Sequence, residues 1–243
     1  MPGLPAMSEL SPTLLFCTSH ISSEDAWRAR YRPWIDYYQN VPLRRDATYM
    51  FDDASPFRPS DARLEIEEAL ADAPDFSKIR FHRFAAHLGR EGLLGHLGWW
   101  RSFIYSLEVA RRYGFRRIVH VESDAYVLSE AMVDYLNRLD SGWTVLWCER
   151  YRMPEPAIQV IAEDQYPAFQ RIAGLGVEKL ALQMAEVTLP FTHVERRFAG
   201  NRYGETRSRI PGYADYACQI DAGTTSVVFR GAASSKSRAI ESK

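Results

Sequence analysis

The run Val119-His120-Val121-Glu122-Ser123-Asp124 carries two carboxylates two residues apart, directly after an apolar stretch. If the chain leaves a sheet there, both acids can approach one hard cation. Mg²⁺ and Mn²⁺ prefer oxygen ligands, and Mg²⁺ takes one or two carboxylates together with phosphate oxygens. Ligands of open α/β sheets bind beyond the carboxyl ends of the strands, so the address counts as much as the residue types. The same acids would also make an acidic turn ahead of a helix capped by Ser129.

Four further groups could do chemistry. Asp52-Asp53 ends the apolar run Ala47 to Phe51; a carboxylate there can accept a nucleobase N–H or form an acidic turn before Pro56. Thr18, Ser19 and His20 follow the first apolar run and could line a nucleotide pocket or start the next helix. Gly95-His96-Leu97-Gly98-Trp99-Trp100-Arg101 opens a long helix. Helix N-termini favour anions and Arg101 would add a charge-assisted contact, while Trp100 lies on the apolar stripe and is expected in the core. Finally, His193 and Glu195 precede Gly200-Asn201-Arg202-Tyr203-Gly204-Glu205, where Arg202 could neutralise a diphosphate or sit in a flexible loop with ordinary surface charges.

These groups need elements to position them. Thr13 to Thr18 reads as a buried strand, and Ser22-Ser23-Glu24-Asp25 as a helix start, with Pro33 predicting a kink or an early break. Strands are predicted at Ala47 to Phe51, Lys78 to Phe84, Arg116 to Val121 and Trp143 to Cys148. Helices are predicted at Ala62 to Ala71, at His96 to Tyr113 with Gly114 ending it, and after Ser129. Beyond residue 149, Ala157 to Ile161 reads as a strand, Gln165 to Met184 as broadly helical, and Thr224 to Phe229 as a closing strand. Alternating strands and helices from 13 to 148 predict a mostly parallel, three-layer α/β sheet. No linker divides the 243 residues, which reads as a single domain, 1–243, with halves at 13–150 and 151–230 and loose termini at 1–11 and 231–243.

Composition is that of a globular protein: 46% hydrophobic, 25% charged, formal net charge -1. That balance gives no reason to expect nucleic acid as a partner. Three cysteines, Cys17, Cys148 and Cys218, form no CxxC pair and suit a reduced compartment. No run is long enough to span a bilayer, and residues 1 to 11 lack a signal peptide's pattern. A cytoplasmic protein is expected, with local arginine clusters allowing peripheral contact with the inner face of a membrane.

The order of elements up to Glu122-Ser123-Asp124 resembles the nucleotide-binding half of GT-A glycosyltransferases, which carry a DxD-type motif at this point. The resemblance covers residues 13 to 150 as architecture and is sharp only at the triplet. It implies a GT-A-like α/β/α sandwich, Rossmann-like in its first half, that moves a sugar from a nucleoside diphosphate sugar, UDP-sugars foremost, to a hydroxyl of a saccharide or glycolipid acceptor in polysaccharide or glycoconjugate synthesis. It implies a divalent metal, Mn²⁺ or Mg²⁺, with Asp124 as direct ligand. Glu122, standing where the family has Asp, would hold the metal through water or contact the donor. Residues 13–150 would bind the nucleotide sugar, with Asp52 or Asp53 on the nucleobase, Arg101 on the donor and His193 completing the metal site; residues 151–230 would bind the acceptor. An inverting transfer needs a carboxylate base, for which Glu149, Glu163, Asp164, Glu195 and Asp215 are candidates; Glu163-Asp164 opens a helix where such a base often sits in the family. A nucleotidyltransferase would also use paired acids and a metal, but residues 13 to 25 contain no glycine for its usual phosphate loop. A non-catalytic carbohydrate-binding domain is the remaining alternative. GxGxxG, GxxxxGK[ST] and GxSxG motifs are absent, which argues against dehydrogenase, P-loop and α/β-hydrolase readings.

Overall fold

The computed structural model describes residues 11–92 and 95–231, so most of both predicted loose termini lies outside the described residues. The chain opens with β1 (Thr13–Ser19), then α1 (Glu24–Ala26), which runs through a π turn (Trp27–Tyr31) into α2 (Arg32–Asn40). β2 (Ala47–Asp52), β3 (Leu64–Glu67) and β4 (Ile79–Arg83) lead to the long α3 (Leu97–Tyr113). β5 (Arg117–Val121), β6 (Tyr126–Val127), α4 (Glu130–Asn137), β7 (Trp143–Cys148) and β8 (Met153–Ala162) follow. The remainder holds α5 (Tyr166–Ala173), α6 (Val177–Leu180), α7 (Ala185–Thr188), β9 (His193–Glu195), β10 (Gly200–Asn201) and β11 (Tyr216–Ala217).

Eight strands form one sheet in the order β3-β4-β2-β1-β5-β8-β7-β9. β8 runs antiparallel to both neighbours and every other pairing is parallel. The expected mostly parallel α/β architecture is therefore present. Period-two side-chain alternation divides each strand between two cores. Leu15 and Cys17 of β1 pack with Trp34, Tyr38, Met132 and Leu136 of α2 and α4, while Leu14 and Phe16 pack with Trp100, Phe103 and Leu107 of α3. Two helical layers thus enclose the sheet. β6, β10 and β11 form a second, three-stranded sheet that follows directly on the Glu122–Asp124 turn.

Local signals behaved as their chemistry dictates. Ser23 and Ser129 accept backbone hydrogen bonds from Ala26 and Met132, and Gly114 ends α3 at φ 72°. Pro33 sits in the first turn of α2, where its missing N–H is not needed, so the helix enters through the π turn instead of breaking.

Three readings are corrected. Residues 62 to 71 are not helical: Leu64–Glu67 is an edge strand, with Glu65 and Glu67 both reaching the buried Arg80 guanidinium of β4. A spacing of two brings both acids to one partner on a strand but not on a helix. The helix over 165 to 184 is divided where Gly174 ends α5 and Gly176, at φ 82°, takes a left-handed backbone. Residues 224 to 229 form no strand; the chain there makes one bridge, Ser129 to Arg230, at the rim of the fold.

Candidate functional site

The chain leaves the sheet after Val121. Ala125 N–H bonds the Glu122 carbonyl at 2.9 Å, closing a turn, and β6 then locks the chain into the small sheet. Glu122 and Asp124 are thereby presented at the carboxyl end of β5, both lining a cleft of about 510 Å³.

Glu122 is held from three sides. The Trp99 indole N–H donates to Oε1, Thr18 Oγ1 donates to Oε2 at 2.8 Å, and His120 Nε2 lies 3.1 Å from Oε1. Burial works to raise its pKa, but His120, Trp99 and Thr18 outweigh it and hold Glu122 below the usual carboxylate range. Asp124 is differently placed. Its Oδ2 pairs with Arg30 at 3.0 Å, whereas its buried Oδ1 has no hydrogen-bond partner among the described residues. Burial raises the Asp124 pKa, opposed by Arg30. Arg30 also donates to Ser123 Oγ at 2.7 Å and stands in the π turn, a device frequent at functional sites.

Across the cleft, Arg202 donates to Glu155 at 2.6 and 3.2 Å and to Glu186 Oε1 at 2.9 Å. Burial pushes Glu155 upward despite that arginine. Burial also acts to lower Arg202, and Glu155 and Glu186 outweigh it to raise the guanidinium. Four carboxylates (Glu122, Asp124, Glu155, Glu186) thus face two guanidiniums (Arg30, Arg202), a formal excess of two negative charges when all four are ionised.

Of the residues singled out in the sequence, the cleft collects Thr18, His96, Trp99, Trp100, Glu122, Asp124 and Arg202, with Ser123 joined through Arg30. Others gather beside it. Asp52 accepts from Ser55 N–H at 2.8 Å, from Ser19 Oγ at 3.2 Å and from Ser55 Oγ. Asp53 accepts from Leu88 N–H at 3.2 Å, Gly89 N–H at 2.7 Å and Arg101. Both carboxylates are buried and hydrogen-bonded to these neighbours, outside the lining of this cleft. Gly98 is required here, because a Cβ would collide with the Asp53 carboxylate. Arg101, committed to Asp53 and lying over the Phe84 ring at 4.1 Å, does not line the cleft. His20, Asp53 and His87 bring ligand atoms within 4.8 Å of one another, a spacing that one metal ion can span.

The remaining candidates stand apart. Glu163 pairs with Arg116 at 2.7 Å and Asp164 accepts from Gly142 N–H at 2.9 Å. Because β8 is antiparallel to β5, those acids lie beside the start of β5, at the opposite end of that strand from Glu122, whose N–H bonds the Ala157 carbonyl midway along β8. Glu195 is bound by Arg197 at 2.5 Å, which holds its carboxyl well below the usual range, and His193, 3.5 Å away, is half-exposed on the edge strand. Neither lines the cleft with Asp124.

Sequence reasoning missed Arg30, Trp99 as a partner of Glu122, His120, Glu155 and Glu186. Glu155 carried a signal: an acid between two prolines, Pro154 and Pro156, in an otherwise apolar strand, at the point where the β7–β8 register shifts. Arg30 carried none, because its role depends on the extra residue of the π turn.

No family model matches the chain, and no curated protein matches it by sequence. Among solved structures it is similar to one described as a glycosyltransferase involved in the glycosylation of the major capsid of PBCV-1, with 10% sequence identity, 86% of this chain and 93% of that chain covered, and a TM-score of 0.45.

Proposed function

We propose that the chain is a glycosyltransferase that uses a nucleoside diphosphate sugar, UDP-sugars foremost, with a divalent cation held at Asp124. The observation that carries this reading is the cleft at the carboxyl end of β5, whose excess negative charge and unpartnered Asp124 Oδ1 call for a cation. A diphosphate would be repelled by four carboxylates facing two guanidiniums; a divalent ion reverses that balance. The donor set fits a hard cation, since Asp124 offers one free carboxylate oxygen and phosphate oxygens would supply others.

When bound, Mn²⁺ or Mg²⁺ would withdraw charge from the departing diphosphate. The protein's residues do the rest. Trp99, Thr18 and His120 fix Glu122 as an ionised carboxylate for the donor or for water on the metal. Arg30 pairs with Asp124 Oδ2 and leaves Oδ1 as the atom that would be open to a cation. Arg202 supports the diphosphate from the opposite wall, where negative charge grows as the sugar leaves. Among cleft acids, Glu186 keeps one oxygen beyond its contact with Arg202 and is the better-placed general base for an acceptor hydroxyl. The donor half, 13–150, and the acceptor half, 151–230, work across this cleft as one unit.

The test is release of nucleoside diphosphate from a panel of nucleotide sugars with saccharide acceptors and Mn²⁺. Asp124→Asn should lose turnover by two orders of magnitude or more, within the range of removing one transition-state contact, about 10²–10³. Full turnover by a folded Asp124→Asn protein would exclude the site.

A further inference from the structure

A second cleft, of about 1140 Å³, adjoins the first, and Gln219 lines both. Its charge is opposite in sign. Among the described residues, Arg207, Arg209 and Arg230 face it with Asp221 as the one carboxylate, and Asp221 already accepts from Gly223 N–H at 3.0 Å. Arg230 donates to the Ala214 carbonyl, but neither the Arg207 nor the Arg209 guanidinium has an ion-pair or hydrogen-bond partner among the described residues. Both are exposed arginines two residues apart on one loop, with guanidiniums uncommitted and available to an anionic ligand in the cleft.

The backbone around these arginines is built, not slack. Gly204 lies so close to the Gln219 carbonyl that any Cβ there would collide with it, which clamps the two walls together. Arg207 at φ 51° and Gln219 at φ 58° take left-handed conformations that side chains disfavour. Such backbone persists where its surroundings impose it, and it clusters at ligand sites. Gln219 is also adjacent to the contact that ties this wall to the first cleft, Ile220 N–H to the Asp124 carbonyl at 3.0 Å.

From this we infer that the second cleft binds the acceptor, and that the acceptor is a saccharide carrying an anionic group, a phosphate or a carboxylate, gripped by Arg207 and Arg209. The inference rests on the glycosyltransferase reading and adds the acceptor's chemical class to it. Guanidinium forks match carboxylate and phosphate oxygens in pairs. Among the described residues none lining the cleft is aromatic, so they offer no ring-stacking surface for a neutral sugar, while Ser208, Thr224 and Ser226 supply hydroxyls for saccharide hydroxyls. The two adjacent clefts then sort their substrates by sign: cation and diphosphate beside Asp124, anionic acceptor beside Arg207, with Gln219 between them.

Calorimetric titration of the full chain with glucose 6-phosphate, glucuronic acid, glucose and inorganic phosphate tests this. One or both anionic sugars should bind at least about tenfold more tightly than glucose and more tightly than inorganic phosphate. The double variant Arg207→Ala/Arg209→Ala should lose that advantage while still binding nucleoside diphosphate with Mn²⁺. Asp124→Ala should retain the anionic sugar and lose the nucleotide, so failure of the donor site and failure of the acceptor site are told apart. The tighter of the two anionic sugars identifies the group. Equal binding of glucose and both anionic sugars, inorganic phosphate binding as tightly as the sugars, or a double variant that binds like the parent would each overturn the assignment.

Discussion

Replacing Arg202 by alanine leaves the fully buried Glu155 carboxylate without its bidentate partner. Breaking a buried pair from one side costs about 3–5 kcal/mol, because the remaining charge is stranded. Urea unfolding should show that loss in Arg202→Ala and partial recovery in Arg202→Ala/Glu155→Gln; an additive double variant would mean the two residues are not coupled. Glu195 gives a pH-dependent counterpart. Its folded pKa is depressed by Arg197, so its contribution to stability is complete above the unfolded glutamate value of about 4.3 and is lost as pH falls through the lower folded value. The stability gap between the parent protein and Arg197→Ala should therefore be constant from pH 7 to 5 and shrink below about pH 4. A gap unchanged down to pH 3 would show that Arg197 acts by packing alone.

Elements set the geometry of the cleft through one aromatic column. Phe103 on α3 stacks on Trp99 at 4.8 Å and contacts the rings of His120 at 5.3 Å and Phe169 at 5.1 Å. Trp99 and His120 are the groups that hold Glu122, so helix packing and carboxylate position are one structure. Phe103→Ala should cost about 3–5 kcal/mol in unfolding free energy. It should also weaken turnover more than an equally destabilising substitution elsewhere; equal losses would uncouple the column from the site. Much at this scale was legible in the sequence. The α3 stripe, the Ser129 cap, the Gly114 stop and the position of Glu122 and Asp124 after a buried strand all follow from periodicity and capping chemistry. The edge strand at Leu64–Glu67 was misread because Ile66 and Leu70 stand at helical spacing; the period-two pair Leu64 and Ile66 was the strand signal, and the buried Arg80 of the neighbouring β4, reached by Glu65 and Glu67, decides for the strand. Arg30, Glu155 and Glu186 were missed for a related reason: Arg30 and Glu155 meet partners more than forty residues away in sequence, Glu186 reaches Arg202 sixteen residues on, and spacing encodes none of these tertiary contacts.

At the scale of the whole molecule, a formal net charge of -1 conceals two neighbouring clefts of opposite sign. Composition cannot show that separation; the fold creates it by bringing Arg30 and Glu155 to the β5 end and Arg207 and Arg209 to the far side of Gln219. No helix among the described residues is long and apolar enough to cross a membrane. On the proposed reading, a divalent cation at Asp124 converts an anionic cleft into a diphosphate site. Titration of a nucleoside diphosphate into the protein with and without Mn²⁺ addresses it most directly, with Asp124→Ala as the control. Binding should be seen with Mn²⁺, should be at least about tenfold weaker without it, and should show none of that metal dependence in the variant. Equal affinity with and without the metal, or a metal-dependent gain that survives in Asp124→Ala, would contradict it.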